Sequence, residues 1–166
     1  MATCSSCSNE LAAGLRWCAI CHANTIDPRV GRLASPGRRL AAHACDGIIP
    51  LAAFLGLLSV VGAGAATGSE AGAGLGVLAA SGLTVAYFIW ALKLFARGTT
   101  PGKNALGLRV VKESGIAAGF GAMLCREWIG KALSSLVFGL GFLWILFDKD
   151  RQGWHDKLGT TYVVQP

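Results

Sequence analysis

Polar and apolar positions in this chain separate into blocks. From Ile48 to Ala66 there are 19 residues without a charge, about enough in helical form to cross ~30 Å of hydrocarbon. The pattern predicts a first apolar segment from Pro36 to about Ala66, a second from about Ala71 to Phe95 and a third from about Met123 to Phe147. Gly72 and Gly76 in the second have the spacing that lets helices approach closely, which serves either a dimer face or, more commonly, packing against the first segment. In the third, Phe138-Gly139-Leu140-Gly141 offers a place to break. Two β-like pieces flank it, Leu108-Arg109-Val110-Val111 and Thr161-Tyr162-Val163-Val164. Each is too short to be stable alone, and pairing them requires both on one side of the membrane. The third segment is thus either a full span or a re-entrant or interfacial hairpin.

Composition agrees with a small polytopic membrane protein. Of 166 residues 53% are hydrophobic and 14% charged, with a mean hydropathy of +0.52, whereas soluble domains carry about 25% charged residues. The N-terminus lacks the basic start and short apolar core of a signal peptide, so the first span is expected to direct its own insertion. Arg29, Arg32, Arg38 and Arg39 precede that span, Lys93, Arg97, Lys103, Arg109 and Lys112 follow the second, and Thr67–Glu70 between them has no basic residue. By the positive-inside rule the N-terminus and the middle loop are expected to be cytoplasmic, and the tail on the same side. The net charge of +6 does not imply nucleic acid, because residues 1–30 balance Arg16 and Arg29 against Glu10 and Asp27. The excess lies beside the apolar blocks, where it orients the chain and meets anionic lipid. The bilayer is the expected partner. So few helices enclose no path, so a transport role calls for a homo-oligomer or another membrane protein.

Cys4, Cys7, Cys18 and Cys21 form Cys-x2-Cys-x10-Cys-x2-Cys, whereas Cys45 and Cys125 stand alone. Two such knuckles bring four thiolates around one tetrahedral Zn²⁺, a closed structural site with no position open to substrate. A stretch this short has almost no core, so the metal supplies most of its folding energy. A redox pair or two disulfides are the alternatives. The segment resembles the short zinc ribbons at the ends of many bacterial membrane proteins, sharing Glu10-Leu11, Trp17 and the spacing. Those ribbons usually have glycine after each knuckle, where this chain has Ser8 and His22. His22 reads as a bystander beside four thiolates. Reduced thiols fit the cytoplasm. The expected division is a zinc ribbon over 1–23, a linker with little periodicity over 24–37 and a membrane domain over 38–166.

Asp46 sits at the mouth of the charge-free run. An ionisable group there marks either a functional site or a helix-end carboxylate that snorkels to water or pairs with an arginine. Arg39 and Asp46 share nearly one helix face but lie about 10 Å apart along the axis, so each needs another partner. Arg126, Lys131 and His43 are the partners best placed for Asp46. Pro50 cannot bond the Asp46 carbonyl, which leaves either an ordinary kink or a broken helix of the kind that holds Na⁺ or protons in transporters. His155 and Asp156 are sequence neighbours that diverge on a helix and make no dyad by sequence alone. Gly98-Thr-Thr-Pro-Gly-Lys103 has three residues between its glycines and Asn104 after the lysine, so it is no phosphate loop. Thr100 as N-cap with Pro101 first in a helix explains it better. No arrangement of serine, cysteine or histidine suggests hydrolysis, and the chain is expected not to be an enzyme.

Taken together, these residues resemble the RDD family of small bacterial membrane proteins, named for one arginine and two aspartates. Arg39-x-x-Ala42-x-x-x-Asp46 matches its first helix, and Gly98–Lys103 with Gly107-Leu-Arg-Val-Val111 its middle loop. Arg126-Glu127 matches the start of its third helix, and His155-Asp156-Lys-Leu-Gly-Thr160 its closing motif. The motifs occur in order over about residues 35–164. The resemblance implies that Asp156, with Asp148 as the alternative, is the second aspartate. It also implies transport of an unidentified ligand, with monovalent cation or proton as candidates, since some members resemble sodium–proton antiporters. Arg39, Asp46, Arg126, Asp148, His155 and Asp156 are then the candidate transport residues. The alternative is a non-catalytic anchor or adaptor whose ribbon docks a cytoplasmic partner, because one fold hosts many functions. The predicted fold class is an all-α integral membrane protein, two full spans plus a third span or re-entrant hairpin, with a small N-terminal zinc ribbon.

Overall fold

A computed structural model describes residues 2–12, 14–66, 68, 70–136 and 139–166. At the N-terminus β1 (Ala2–Thr3) pairs antiparallel with β2 (Glu10–Leu11), Ala2 opposite Leu11. The stretch expected to be a linker then takes on structure. Asp27 caps a 3₁₀ turn, Pro28–Val30, and β3 (Arg32–Leu33) follows. Gly31 joins them at φ +94°, with the Gln165 carbonyl so close that no Cβ fits. A strand of two residues is too short to show alternation, which is why this segment looks featureless in sequence.

Helices α1 (Pro36–Ala66) and α2 (Glu70–Ala96) are both long and apolar enough to cross a membrane. The 31 residues of α1 reach about 46 Å at 1.5 Å each, so its first turns, with Arg38, Arg39, His43 and Asp46, extend beyond the ~30 Å of hydrocarbon. α1 runs unbroken past Pro50, which corrects the broken-helix reading. One missing N–H removes a single ladder bond, and the flanking turns carry the helix through. The two helices pack on glycine: a Cβ on Gly64 would lie 2.6 Å from the Gly72 carbonyl oxygen, and one on Gly76 3.4 Å from Val60 and Val61. The glycine spacing therefore serves contact within the chain.

After α2 come a short helix α3 (Pro101–Ala105) and β4 (Arg109–Lys112). The third segment is α4 (Phe120–Leu124), a π-helical stretch Cys125–Gly130 and α5 (Lys131–Leu136), then α6 (Leu140–Leu143) running into a 3₁₀ turn, Trp144–Leu146. Its two halves meet at 109°. Of the expected break, Phe138 lies outside the described residues, and Gly139 has φ +75°. Finally α7 (Trp154–Leu158) leads into β5 (Thr161–Gln165). The sheet order is β3-β5-β4, all antiparallel, with Val110 opposite Val163 and Leu33 opposite Val164. The two β-like pieces thus pair as their sequences suggest. β4 precedes the bent segment and β5 follows it in one sheet, so the two ends of the segment lie together. The segment is a bent helix pair whose two ends are tied into one sheet.

Strand alternation gives the sheet two different faces. Val110 and Val163 pack with Ala42, Met123, Leu108, Ala118 and Ala34 at the base of the helices. Val111 and Val164 pack the other way, with Trp17, Val30 and Leu33 and the ring of Tyr162. The sheet therefore lies between the cysteine-bearing head and the membrane helices.

Candidate functional site

The four N-terminal thiols converge. Cys4 and Cys21 sulfurs lie 3.6 Å apart, as do those of Cys7 and Cys18, and all four are within 4.8 Å of one another. A tetrahedron of Zn–S bonds near 2.3 Å has edges of about 3.8 Å, so the set fits a metal ion. Ser8 and His22 sit at φ 59° and 55°, taking the left-handed conformation that glycine usually supplies. The turns are tight all the same: Ser8 N–H donates to the Cys4 carbonyl at 2.8 Å and His22 N–H to that of Cys18 at 3.0 Å. Backbone N–H groups of Cys21 and Ile20 draw the Cys18 thiol down to about 6. Although Asn9 N–H favours its thiolate, Cys21, burial, Cys18 and Cys4 push Cys7 up to about 12. Four thiolates this close ionise together only around a cation. The His22 ring contacts Arg151, Nε2 to Nη2 at 2.7 Å, outside the cluster.

The loop Gly98–Lys103 is a bracket between α1 and the third segment. Thr100 caps α3 with Pro101 in its first turn, as the sequence predicts. Thr100 Oγ1 donates to Asp46 Oδ2 at 2.6 Å and Gly102 N–H to Asp46 Oδ1 at 2.7 Å. A Cβ on Gly102 would collide with the Ala42 carbonyl and lie 2.7 Å from Asp46 N, so only glycine lets α3 sit this near α1. The cations expected to pair with Asp46 go elsewhere. Arg126 and Lys131 turn to other carboxylates, and His43 contacts Lys131 at 3.4 Å. Two neutral donors at hydrogen-bond distance satisfy a carboxylate without the desolvation that burying a second ion demands.

Beyond the bracket lies a buried ion network. Asp156, fully buried, receives Arg39 Nη1 at 2.9 Å on Oδ2 and has Arg126 Nε 2.7 Å from Oδ1. Arg39 also donates to the Val163 carbonyl at 3.2 Å, and Gly153 N–H to Asp156 Oδ2 at 3.2 Å. Burial alone would raise the Asp156 pKa, but Arg126 and Arg39 outweigh it and hold the carboxyl below its usual range. Glu127 takes Lys103 Nζ at 2.6 Å, has Arg126 Nη1 at 3.7 Å and contacts Lys131 one turn on. Burial and Arg126 pull Lys103 down to about 8 against the pull of Glu127. The π-helical turn that carries Arg126 and Glu127 is a geometry often found at functional sites. Arg126 Nε and Asp156 Oδ1 are close enough to attract but not aligned to hydrogen-bond. Together with Arg126 Nη1 and Arg39 Nε they are buried polar atoms without a hydrogen-bond partner. Asp148 is peripheral, bonded to Lys157 and Gln152 N–H. Among the two candidates for the second aspartate, Asp156 faces the arginine of α1.

A cavity of about 720 Å³ opens beside this network, with Arg39, Lys103, Arg126 and Lys131 on its polar wall and Leu40, Phe142, Leu143 and Leu146 on its apolar one. Asp46 and His43 line it, and they also line a second hollow of about 500 Å³ toward α2. His155 borders the first cavity, and Ser134 Oγ stands 3.5 Å from its Nδ1. This is not a nucleophile pair. Ser134 donates to the Gly130 carbonyl at 2.8 Å, and His155 Nε2 is 3.7 Å from Asp156. Burial pushes His155 down to about 4 in spite of Asp156.

Of the seven charged residues gathered here, the sequence singles out Arg39, Asp46, Arg126, Lys131 and Asp156, but neither Glu127 nor Lys103 as a site. The signal was present: an acid in an otherwise apolar segment with a lysine one turn later, the same criterion that singled out Asp46. In sequence Lys103 is a flank charge and the end of the Gly98–Lys103 motif, with nothing to mark its buried pairing with Glu127.

The RDD family model matches residues 33–160. The uncharacterized protein YckC of Bacillus subtilis (strain 168) is 31% identical over 86 residues, 49% of this chain and 57% of that protein. The aligned region thus spans little more than half of that relative's length. No solved structure matches. The match runs from β3 through α7 and contains the Arg39–Asp156 pair, the Asp46 bracket and Arg126-Glu127, and the chain belongs to the RDD family.

Proposed function

We propose that this protein is a non-enzymatic subunit of a membrane transport assembly, in which the cavity beside the Arg39–Asp156–Arg126 centre handles the ligand. The observation that carries this reading is the cavity itself, walled by four cationic side chains at the end of a membrane-crossing helix. Ionisable groups in such a place are costly to keep and mark pathways and sites. Four cations on that wall against Asp46, Glu127 and Asp156 leave one positive charge in excess, which favours an anionic ligand over the monovalent cation suggested by the resemblance. Asp46 serves the bracket to α3. Purified protein in vesicles, challenged in turn with sodium, potassium, chloride and phosphate gradients, should show flux for at least one anion. That flux should be lost in Lys131→Gln and retained in Asp46→Asn, which loses about 1.5–3 kcal/mol of stability with its charge-assisted hydrogen bonds. Flux of cations alone, abolished by Asp46→Asn, would restore Asp46 as the carrier.

We place the ribbon, the middle loop and the tail in the cytoplasm and assign zinc to the thiols. The support is the basic flank on both spans, the single sheet that joins the stretch after the ribbon to the middle loop and the tail, and the chemistry of four thiolates. Cysteines added near Ser114 and Gln165 should both resist an impermeant thiol reagent applied to intact cells. Labelling of the Gln165 site alone would contradict the hairpin.

The adaptor reading keeps one observation of its own. Ile20 and Ile26, on the ribbon and just after it, are 66% and 73% exposed. A chain that shows no flux for any of the four ions, yet is correctly assembled, is better read as an adaptor.

A further inference from the structure

We infer that the 720 Å³ cavity is a binding site for the phosphodiester headgroup of an anionic membrane lipid, with Arg126, Arg39 and Lys131 as its donors. This rests on the cavity's role proposed above and names the class of ligand.

Three observations lead to it. The first is charge. Arg39, Lys103, Arg126 and Lys131 face Asp46, Glu127 and Asp156, so with both histidines neutral the cluster carries one positive charge too many. A surplus charge away from water is costly unless a counter-ion joins it, and a phosphodiester supplies one negative charge.

The second is unmet bonding. Arg126 is 2% exposed and Arg39 8%, and both line the cavity. Arg126 Nη1 and Arg39 Nε have no hydrogen-bond partner, and Arg126 Nε has only the misaligned Asp156 Oδ1 at 2.7 Å. Glu127 comes no nearer to Arg126 Nη1 than 3.7 Å. The paired non-bridging oxygens of a phosphate suit guanidinium donors in a way that a spherical chloride does not.

The third is shape. The polar wall gives way to Leu40, Leu143 and Leu146, which are 69%, 52% and 62% exposed. An anionic base under an apolar flank suits a ligand with a charged head and hydrocarbon tails. It suits free phosphate less well.

The test uses the full-length protein in mild detergent, with thermal stability read against added short-chain phosphatidylglycerol, short-chain phosphatidylcholine and inorganic phosphate. Phosphatidylglycerol should bind at least about tenfold more tightly than phosphatidylcholine, and Lys131→Gln should weaken it about tenfold, the loss of one charge-assisted hydrogen bond. Arg38→Gln removes the same charge from an exposed position and should leave the affinity as it is. Lys131→Gln is the preferred probe because the Lys131 side chain is 21% exposed and its loss spares the Asp156 centre. Equal affinity for phosphatidylcholine, or an affinity unchanged in Lys131→Gln, overturns the proposal. Inorganic phosphate binding as tightly as phosphatidylglycerol assigns the site to the free ion and overturns the lipid. Selective lipid binding without flux in vesicles upholds the site and removes the transport reading. Flux without lipid selectivity does the reverse.

Discussion

Asp156→Asn should be the most damaging conservative substitution in this chain. It keeps the shape of the side chain and removes the one negative charge shared by Arg39 and Arg126. Both arginines are buried, and the amide would turn a donor toward one of them. Breaking a buried pair from one side typically costs ~3–5 kcal/mol, and here two cations lose their partner together. The carboxylate also receives the Gly153 N–H at the start of α7, so the helix that leads into β5 loosens as well. Arg39→Gln should be milder, because Asp156 would still hold Arg126. Asp148→Asn is the control: its partner Lys157 is 45% exposed, and such pairs contribute ~0–1 kcal/mol. Heating detergent-solubilised variants and following the monodisperse peak by size exclusion ranks the three. If Asp156→Asn falls no further than Asp148→Asn, the buried centre does not hold the membrane domain together.

What was legible in the sequence was local. Charge-free runs gave the two spans, paired knuckles gave the thiol cluster, and Thr100-Pro101 gave the cap of α3. Leu108–Val111 and Thr161–Val164 announced strands because alternation survives over four residues. The sequence locates Asp46 but not its partners, since its donors lie 54 and 56 residues away on Thr100 and Gly102. No periodicity favours a hydroxyl and an amide over the arginines and lysines nearby. The Arg39–Asp156 pair spans 117 residues, and the resemblance to a family names its two residues without pairing them. Residues 24–37 look like a linker in sequence because a two-residue strand and a 3₁₀ turn leave no pattern. Their structure becomes visible only when β5 lies beside them.

Removing the metal should unfold the ribbon and also loosen the sheet. A stretch this small depends on its metal, whose binding in comparable zinc fingers is worth about 10–16 kcal/mol. Trp17, 4% exposed, packs with Val30, Leu33, Val111 and Val164, its ring 5.3 Å from that of Tyr162. Freeing the ribbon withdraws that ring, a loss on the scale of ~3–5 kcal/mol for a buried tryptophan. Arg16 would leave Glu113, and His22 would leave Arg151. Metal analysis under reducing conditions should find one zinc per chain. Hydrogen–deuterium exchange after chelation, or in Cys18→Ser, should show faster exchange in residues 2–34 and in β4 and β5, while α1 and α2 stay protected. Protection unchanged in β5 after complete metal loss would mean that the ribbon is an independent module. The head would then be free to dock a partner, and the adaptor reading would gain over transport. Loss of protection that reaches β5 instead ties the metal to α7, because Asp156 lies five residues before Thr161 in the same short stretch. The state of the thiols would then bear on the Arg39–Asp156 centre through the sheet.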